Sequence, residues 1–148
     1  MRDVKQKYCN EESYSIDAQE KDYLYVKESQ IPGSGNGLFT AIPIYKKDII
    51  SIFKGTILTS KEARLRSSQG QDAYFINMPD GAIMDSRKVK CFAKYANDAS
   101  GKTKTKFKNN AKITLDEMDQ VCIVASRNIK REDEIFCSYG KDYWKSHS

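Results

Sequence analysis

After residue 21 the chain is a succession of short apolar runs separated by turn-forming residues. Val, Ile, Tyr and Phe dominate these runs, which suits half-buried pleated backbone better than one face of a helix. The pattern predicts strands over Tyr23 to Lys27, Gly37 to Ala41, Asp48 to Lys54, Ala73 to Asn77, Ala82 to Asp85, Ala111 to Leu115, Gln120 to Ser126 and Glu134 to Tyr139. Val121-Cys122-Ile123-Val124-Ala125 has no polar alternation, as expected of a strand covered on both faces. Pro79-Asp80-Gly81 joins a fixed φ, an Asx acceptor and a residue free to take positive φ, so Tyr74 to Asp85 reads as a hairpin. Asp116-Glu117-Met118-Asp119 is a polar turn between two strands. Thr59-Ser60-Lys61-Glu62 has capping-box spacing and opens a short helix through Arg66, and a second helical turn is expected over Lys90 to Ala96. Residues 1–21 are polar without clean periodicity and read as an extension, either loosely packed helix or disordered. The expected organisation is that extension, one mainly β domain over 22–144 and a tail over 145–148.

Composition narrows the class. With 148 residues, 39% hydrophobic and 30% charged, the chain supports one globular domain. No stretch approaches the roughly 20 apolar residues that span a bilayer. Met1 to Lys7 is followed by no apolar run, so no secretory signal is read there and the expectation is an intracellular protein, nuclear or cytoplasmic. Cys9, Cys91, Cys122 and Cys137 include no Cys-x-x-Cys pair, which argues against zinc and a disulfide framework, so no metal is expected. Three of them sit among apolar neighbours and read as buried thiols. His147 is the one histidine, and it is terminal; a Ser-His-Asp or Cys-His machine has nothing to be built around. The net charge of +5 favours acidic surroundings without naming a partner. Lys102, Lys104, Lys106 and Lys108 read as a solvated, mobile loop, with a docking surface for an acidic partner the lesser alternative.

Two nucleotide-binding patterns fail on context. Gly101-Lys102-Thr103 has Ala96 where a phosphate loop needs its first glycine. Gly33-Ser34-Gly35-Asn36-Gly37-Leu38 ends on leucine and leads into a strand, leaving no helix N-terminus for a pyrophosphate. Glu132-Asp133-Glu134 sits in a charged turn and reads as solvated rather than as an acid/base pair. The glycines of Gly33 to Gly37 still need a reason: a tight loop before a strand, or a backbone lip over a ligand.

Six segments taken in order change the picture. Ile31-Pro32-Gly33-Ser34-Gly35-Asn36-Gly37-Leu38-Phe39 comes first, then Ile52-Phe53-Lys54-Gly55 and Ile83-Met84-Asp85-Ser86. Lys94-Tyr95-Ala96-Asn97-Asp98-Ala99, Asn109-Asn110-Ala111 and Asp133-Glu134-Ile135-Phe136-Cys137-Ser138-Tyr139-Gly140 follow. Together they resemble the SET-domain family of protein-lysine methyltransferases, over about Leu24 to Trp144. The resemblance implies a fold of several small curved sheets with short helices and a C-terminal pseudoknot, in which the Asn97 and Tyr139 segments cross.

It also implies an activity: transfer of a methyl group from S-adenosylmethionine, leaving S-adenosylhomocysteine, to a lysine of another protein, with a histone tail the natural guess. By position Tyr139 takes the catalytic tyrosine's place. Tyr74, Phe53 and Ile113 fall at the lysine channel, with core packing an equal alternative for Tyr74 and Phe53. The resemblance gives the donor to Gly35, Asn36 and Gly37, to the amide of Asn97 and the backbone of Asp98, with Tyr139 alongside. Trp144 lies over the adenine, closes the channel or anchors the terminus. Departures from the pattern are Asp98-Ala99 for His-Ser, Phe53 for Tyr, Asn109 for Pro, and Ile113 at the position that influences methylation number. No cysteine-rich zinc module follows Gly140 in this sequence, leaving Tyr143 and Trp144 to complete the site. Two other readings compete: a SET-like module that binds peptide or chromatin without turnover, and a small β domain for single-stranded nucleic acid, suggested by the basic loop and the tyrosines. The second leaves the ordered segments unexplained, so no direct nucleic-acid readout and no membrane partner are expected.

Overall fold

The computed structural model describes residues 13–78, 81–100 and 104–138. Its strands form three small sheets. In the first, β3 (Asn36–Thr40) lies between β2 (Leu24–Glu28) and β10 (Glu134–Ile135), antiparallel to both. In the second, β7 (Ile83–Asp85) lies between β5 (Thr56–Leu58) and β6 (Phe75–Asn77). The third runs β1 (Tyr14–Ser15), β4 (Asp48–Ile52), β9 (Val121–Ala125), β8 (Ala111–Leu115), β11 (Cys137–Ser138). This mainly β organisation, in several small sheets with few helices, is the fold class expected.

Local chemistry explains the elements. β9 is hydrogen-bonded on both edges and all five of its residues are buried, the reason its sequence lacks alternation. The helix Ser60–Ser68 opens on both halves of a capping box: Glu62 N–H donates to Thr59 Oγ at 3.1 Å, and Thr59 N–H to the Glu62 carboxylate at 3.0 Å. These bonds, the backbone one first, hold the Glu62 carboxyl below its usual range. The helix runs two residues past the predicted Arg66, and Arg66 pairs with the buried Asp85 of β7 at 2.6 Å. Gly81 takes φ +89° in the β6–β7 hairpin; Pro79 and Asp80 of that turn lie outside the described residues. The helical turn expected over Lys90 to Ala96 shrinks to a 3₁₀ turn, Ala93–Tyr95.

Two strands had no sequence signal, β1 and β5, because two or three residues are too few to show a period. β1 belongs to the polar extension. It pairs in parallel with Asp48 and Ile49 of β4, while Ile16 packs against the core. Further along, the Glu20 carboxylate accepts from Ser51 Oγ at 2.5 Å and Ile52 N at 3.1 Å. The Tyr23 hydroxyl donates to the Ile50 carbonyl at 2.7 Å, and burial pushes its pKa well up. Residues 14–23 thus occupy the edge of β4 that β9 leaves open.

The last described segment ties the sheets together. Asn97 and Phe136 form a parallel bridge, with Cys137 N–H donating to the Asn97 carbonyl at 2.8 Å. On the other side, the N–H groups of Asn110 and Ala111 both donate to the Phe136 carbonyl at 3.0 Å. Asn110 adds its side chain: Nδ2 donates to the Glu134 carbonyl at 3.0 Å and Oδ1 accepts from Phe136 N at 2.9 Å. Residues 134–138 therefore run between the Asn97 segment and β8, hydrogen-bonded to each, which is the crossing the resemblance implies. Asn110→Ala leaves a backbone donor and acceptor unmatched in a part-buried place, a cost of about 2–3 kcal/mol. We expect the thermal midpoint to fall by roughly 5–10 °C. An unchanged midpoint in a melting scan refutes this role for the amide.

Candidate functional site

The loop Ser29 to Gly37 is closed by Ser29 N–H donating to the Gly35 carbonyl at 2.8 Å. Gly33 and Gly35 sit at φ +79° and +67°, left-handed backbone that side chains resist. A Cβ added at either would meet nothing within 4 Å, so the outer side of the loop is open. Gly37 is glycine for a different reason. A Cβ there would run into Glu134 Oε2, 2.9 Å from Glu134 Cδ and 3.2 Å from Ser29 Cα.

Glu134 corrects the sequence reading of its turn. Glu132 and Asp133 are exposed, but Glu134 is only 2% exposed. Its Oε1 accepts from Gln30 N at 2.8 Å and its Oε2 from Ser29 Oγ at 2.7 Å, while Ser29 Oγ accepts from Ile31 N at 3.1 Å. As the first residue of β10, paired with Phe39, it turns inward under the glycine loop. Three adjacent acids carry no local sign of which one is buried.

Asn97 reaches the same loop: its Nδ2 donates to the Asn36 carbonyl at 3.0 Å. Among the described residues its Oδ1 is engaged by no donor. Asp98 is buried, and its Oδ1 accepts from Ser100 N at 2.8 Å, Ser100 Oγ at 2.6 Å and Asn109 Nδ2 at 2.9 Å. Asn109 Oδ1 in turn accepts from Ala99 N at 2.8 Å. The two replacements Asp98 and Asn109 are thus hydrogen-bonded to each other and to Ser100 and Ala99. Ile31 of the glycine loop, Ala99 and Phe136 make a second small core covered by Phe107, whose ring is 5.2 Å from that of Phe136. Lys104, Lys106 and Lys108 point outward on either side of Thr105 and Phe107.

The other predicted residues are placed as follows. Phe53 is 4% exposed in the main core, its N–H bonded to the Val121 carbonyl. Ile113 is half-buried against that core, opposite Ile123. Tyr74 is half-buried in the turn before β6, with the Lys94 ammonium 5.4 Å from its ring centre and as far from that of Tyr95. The same ammonium donates to the carbonyls of Ser86 and Val89 at 3.0 Å and of Arg87 at 3.4 Å. Asn97 is therefore brought to Gly35, Asn36 and Gly37, with Asp98 next in the chain; Phe53 lies in the main core, Ile113 against it and Tyr74 beside Lys94. Tyr139 and Trp144 lie outside the described residues, the former directly after β11. Ser29, Gln30 and Lys94 were not singled out by sequence.

Contacts link the six sequence segments. A Cβ at Gly55 would lie 2.5 Å from the Asp85 carbonyl, so the second segment packs on the third. Lys94 on Ser86 joins the third to the fourth, and Asn97 on Asn36 the fourth to the first. Asn110 on Glu134 joins the fifth to the sixth, and Glu134 on Gly37 joins the sixth to the first. Cys137, inside the crossing, is fully buried, and that burial pushes its thiol far above the usual range.

The chain matches the family described as SET domain over residues 35–140. It belongs to that family, whose members are generally protein-lysine methyltransferases. Among solved structures it is similar to a chain of an active polycomb repressive complex 2 in the basal state, with TM-score 0.66 and 20% identity. That match covers 80% of this chain and 15% of the other, and it shows the fold. A comparison with curated protein sequences finds no match.

Gly37→Ala forces the held carboxylate of Glu134 to move, with an expected loss of about 1–3 kcal/mol of stability. Denaturant unfolding measures it, and a loss under 0.5 kcal/mol refutes the close packing of loop on Glu134. Cys137 should resist iodoacetamide at pH 8 in the folded protein and react on unfolding, because the thiolate is the reactive form. Mass spectrometry reads the site, and rapid native alkylation of Cys137 contradicts its burial.

Proposed function

We propose that this protein is an S-adenosylmethionine-dependent protein-lysine N-methyltransferase, with a histone tail or another lysine-bearing protein as substrate. The observation that carries the reading is the junction of Asn97 with Asn36: it sets a backbone lip, open on its outer side, against a residue that is itself bridged to Phe136, in the segment that precedes Tyr139. The lip suits the cofactor's amino-acid end. Loop carbonyls and Asn97 Oδ1 are acceptors for its ammonium, and no Lys or Arg is ion-paired to the loop among the described residues. The residues that would hold it are Gly35, Asn36, Gly37, Asn97 and the backbone of Asp98. When bound, S-adenosylmethionine supplies an electrophilic methyl on a cationic sulfur.

The protein's share is to present a neutral lysine amine in line with that methyl and to keep water away. An aromatic wall does both, since a phenol ring desolvates and its hydroxyl accepts or donates one hydrogen bond. In this reading Tyr139 is the catalytic residue, with Tyr74, Phe53 and Ile113 shaping the channel and Trp144 closing the site. Asp98-Ala99 in place of His-Ser is compatible with it, because the Asp98 side chain is turned to Ser100 and Asn109.

The test uses labelled S-adenosylmethionine with a panel of histones and cell extracts, and mass spectrometry to map the labelled lysine. The parent should be thermally stabilised by the donor and should transfer label. Asn97→Ala should raise the donor Kd about tenfold. Tyr139→Phe should lower kcat by about 100-fold while the donor still binds. A protein that binds a tail yet transfers nothing, with Tyr139→Phe indistinguishable from the parent, overturns the proposal in favour of a binding module.

A further inference from the structure

We propose that one end of the five-stranded sheet is a docking surface for the phosphate backbone of duplex DNA, independently of the donor reading. Strands β4, β9 and β8 are successively antiparallel, so the chain before β4, after β9 and before β8 meets at one end. Hydrogen bonds fix the meeting. Lys47 N–H donates to the Ala125 carbonyl at 2.8 Å, Ser126 N–H to the Asn110 carbonyl at 2.9 Å, and Lys46 N–H to Asn128 Oδ1 at 2.9 Å. Segments 45–48, 104–110 and 126–128 carry Lys46, Lys47, Lys104, Lys106, Lys108 and Arg127 against a single acid, Asp48. All of these cations except Lys47 are exposed. Asp48 turns its Oδ2 to Tyr45 N–H at 2.9 Å, and none of the six cations is ion-paired among the described residues.

The lysines of 104–108 are held in place. Asn109 ties the end of their segment to Asp98 and Ala99, and Phe107 sets its ring against Phe136. Neighbouring strands lie about 4.8 Å apart and extended chain advances about 3.3 Å per residue, so the cations span roughly 20 Å. Like charges gathered without counter-charges repel one another, and a polyanion relieves that repulsion. Duplex DNA offers one negative charge per about 1.7 Å of its axis, a row long enough to answer the whole band. Lysine suits such a row, being a compact point charge that needs no paired geometry. The band consists of loops, which lie along a backbone and do not enter the major groove as a helix or β-ribbon does, so it meets phosphates and reads no bases. Tyr45, 61% exposed in the same band, has a hydroxyl that can donate to a phosphate. At the opposite end of β8 and β9 the turn carries Asp116, Glu117 and Asp119. The charge along the sheet therefore runs from positive to negative and steers the basic end toward a polyanion.

Fluorescence anisotropy of a short labelled duplex, titrated with the full chain over a salt series, reads this surface. For the parent, log K should fall with log salt at a slope of about −3 to −5, and a duplex of unrelated sequence should bind equally well. Lys106→Ala, Lys108→Ala and Arg127→Ala combined should flatten the slope by about two to three and weaken binding at low salt at least about tenfold. Lys61→Ala, Arg64→Ala and Lys88→Ala combined remove the same charge from exposed positions elsewhere and should change affinity less than about threefold. Lys46→Gln with Lys104→Gln should flatten the slope by about two, and decides the matter should the first combination fail to fold. No duplex binding by the parent at low salt, or equal weakening by the two triple variants, overturns the proposal. Polyglutamate competing as well as DNA of equal charge also overturns it, in favour of an acidic protein partner. Any of these results leaves the donor reading standing, and a parent that binds duplex but no S-adenosylmethionine supports this proposal while overturning that reading.

Discussion

Hydrogen bonds between the Asn110 side chain and the backbone of Glu134 and Phe136 are the constraint on which the rest of the molecule depends. A carboxamide presents a donor and an acceptor as a peptide unit does, so Asn110 acts as an extra rung of β-ladder where the chain is too irregular for one. Its backbone carbonyl is also used, accepting from Ser126 N–H. With residues 134–136 held on that side and Cys137 bonded to Asn97 on the other, the segment has little freedom. The inward direction of Glu134 follows, and with it the position of the glycine loop.

This arrangement explains why six dispersed segments of sequence matter together. Each supplies one group that touches the next: Gly55 under Asp85, Ser86 to Lys94, Asn97 to Asn36, Gly37 on Glu134, Glu134 to Asn110. The residues nearest the proposed chemistry are backbone, amide and carboxylate groups, which hold shape through directional hydrogen bonds. Phe53 and Ile113 stand one step back, joined to the main core, where they fix the sheet on which these groups are mounted.

Much of this was legible in the sequence. β9 announced its central place by an unbroken apolar run, and the Ser60–Ser68 helix announced its start by Thr59 and Glu62. The glycines of the lip were visible, and the ordered segments brought Asn97 to them. What was not legible depends on distant partners. Nothing local marks Glu134 as buried, because its acceptor roles are filled by Ser29 and Gln30, more than a hundred positions earlier. Lys94 looks like any surface lysine until three carbonyls and two tyrosine rings converge on it. β1 is too brief for any pattern, and its existence follows from the open edge of β4.

The pairing of β10 with β3 has a consequence for the order in which the molecule can be made. Glu134 meets Phe39, and Ile135 meets Leu38, so one sheet needs residues from near both ends of the described chain. During synthesis the glycine loop emerges first and must wait, unsupported, for a carboxylate 105 positions beyond Ser29. Contacts of such long sequence separation make assembly slow. The glycine loop therefore takes its final shape only once residue 134 has been made, and a nascent polypeptide stalled before it would carry every glycine of the lip without the carboxylate that seats them.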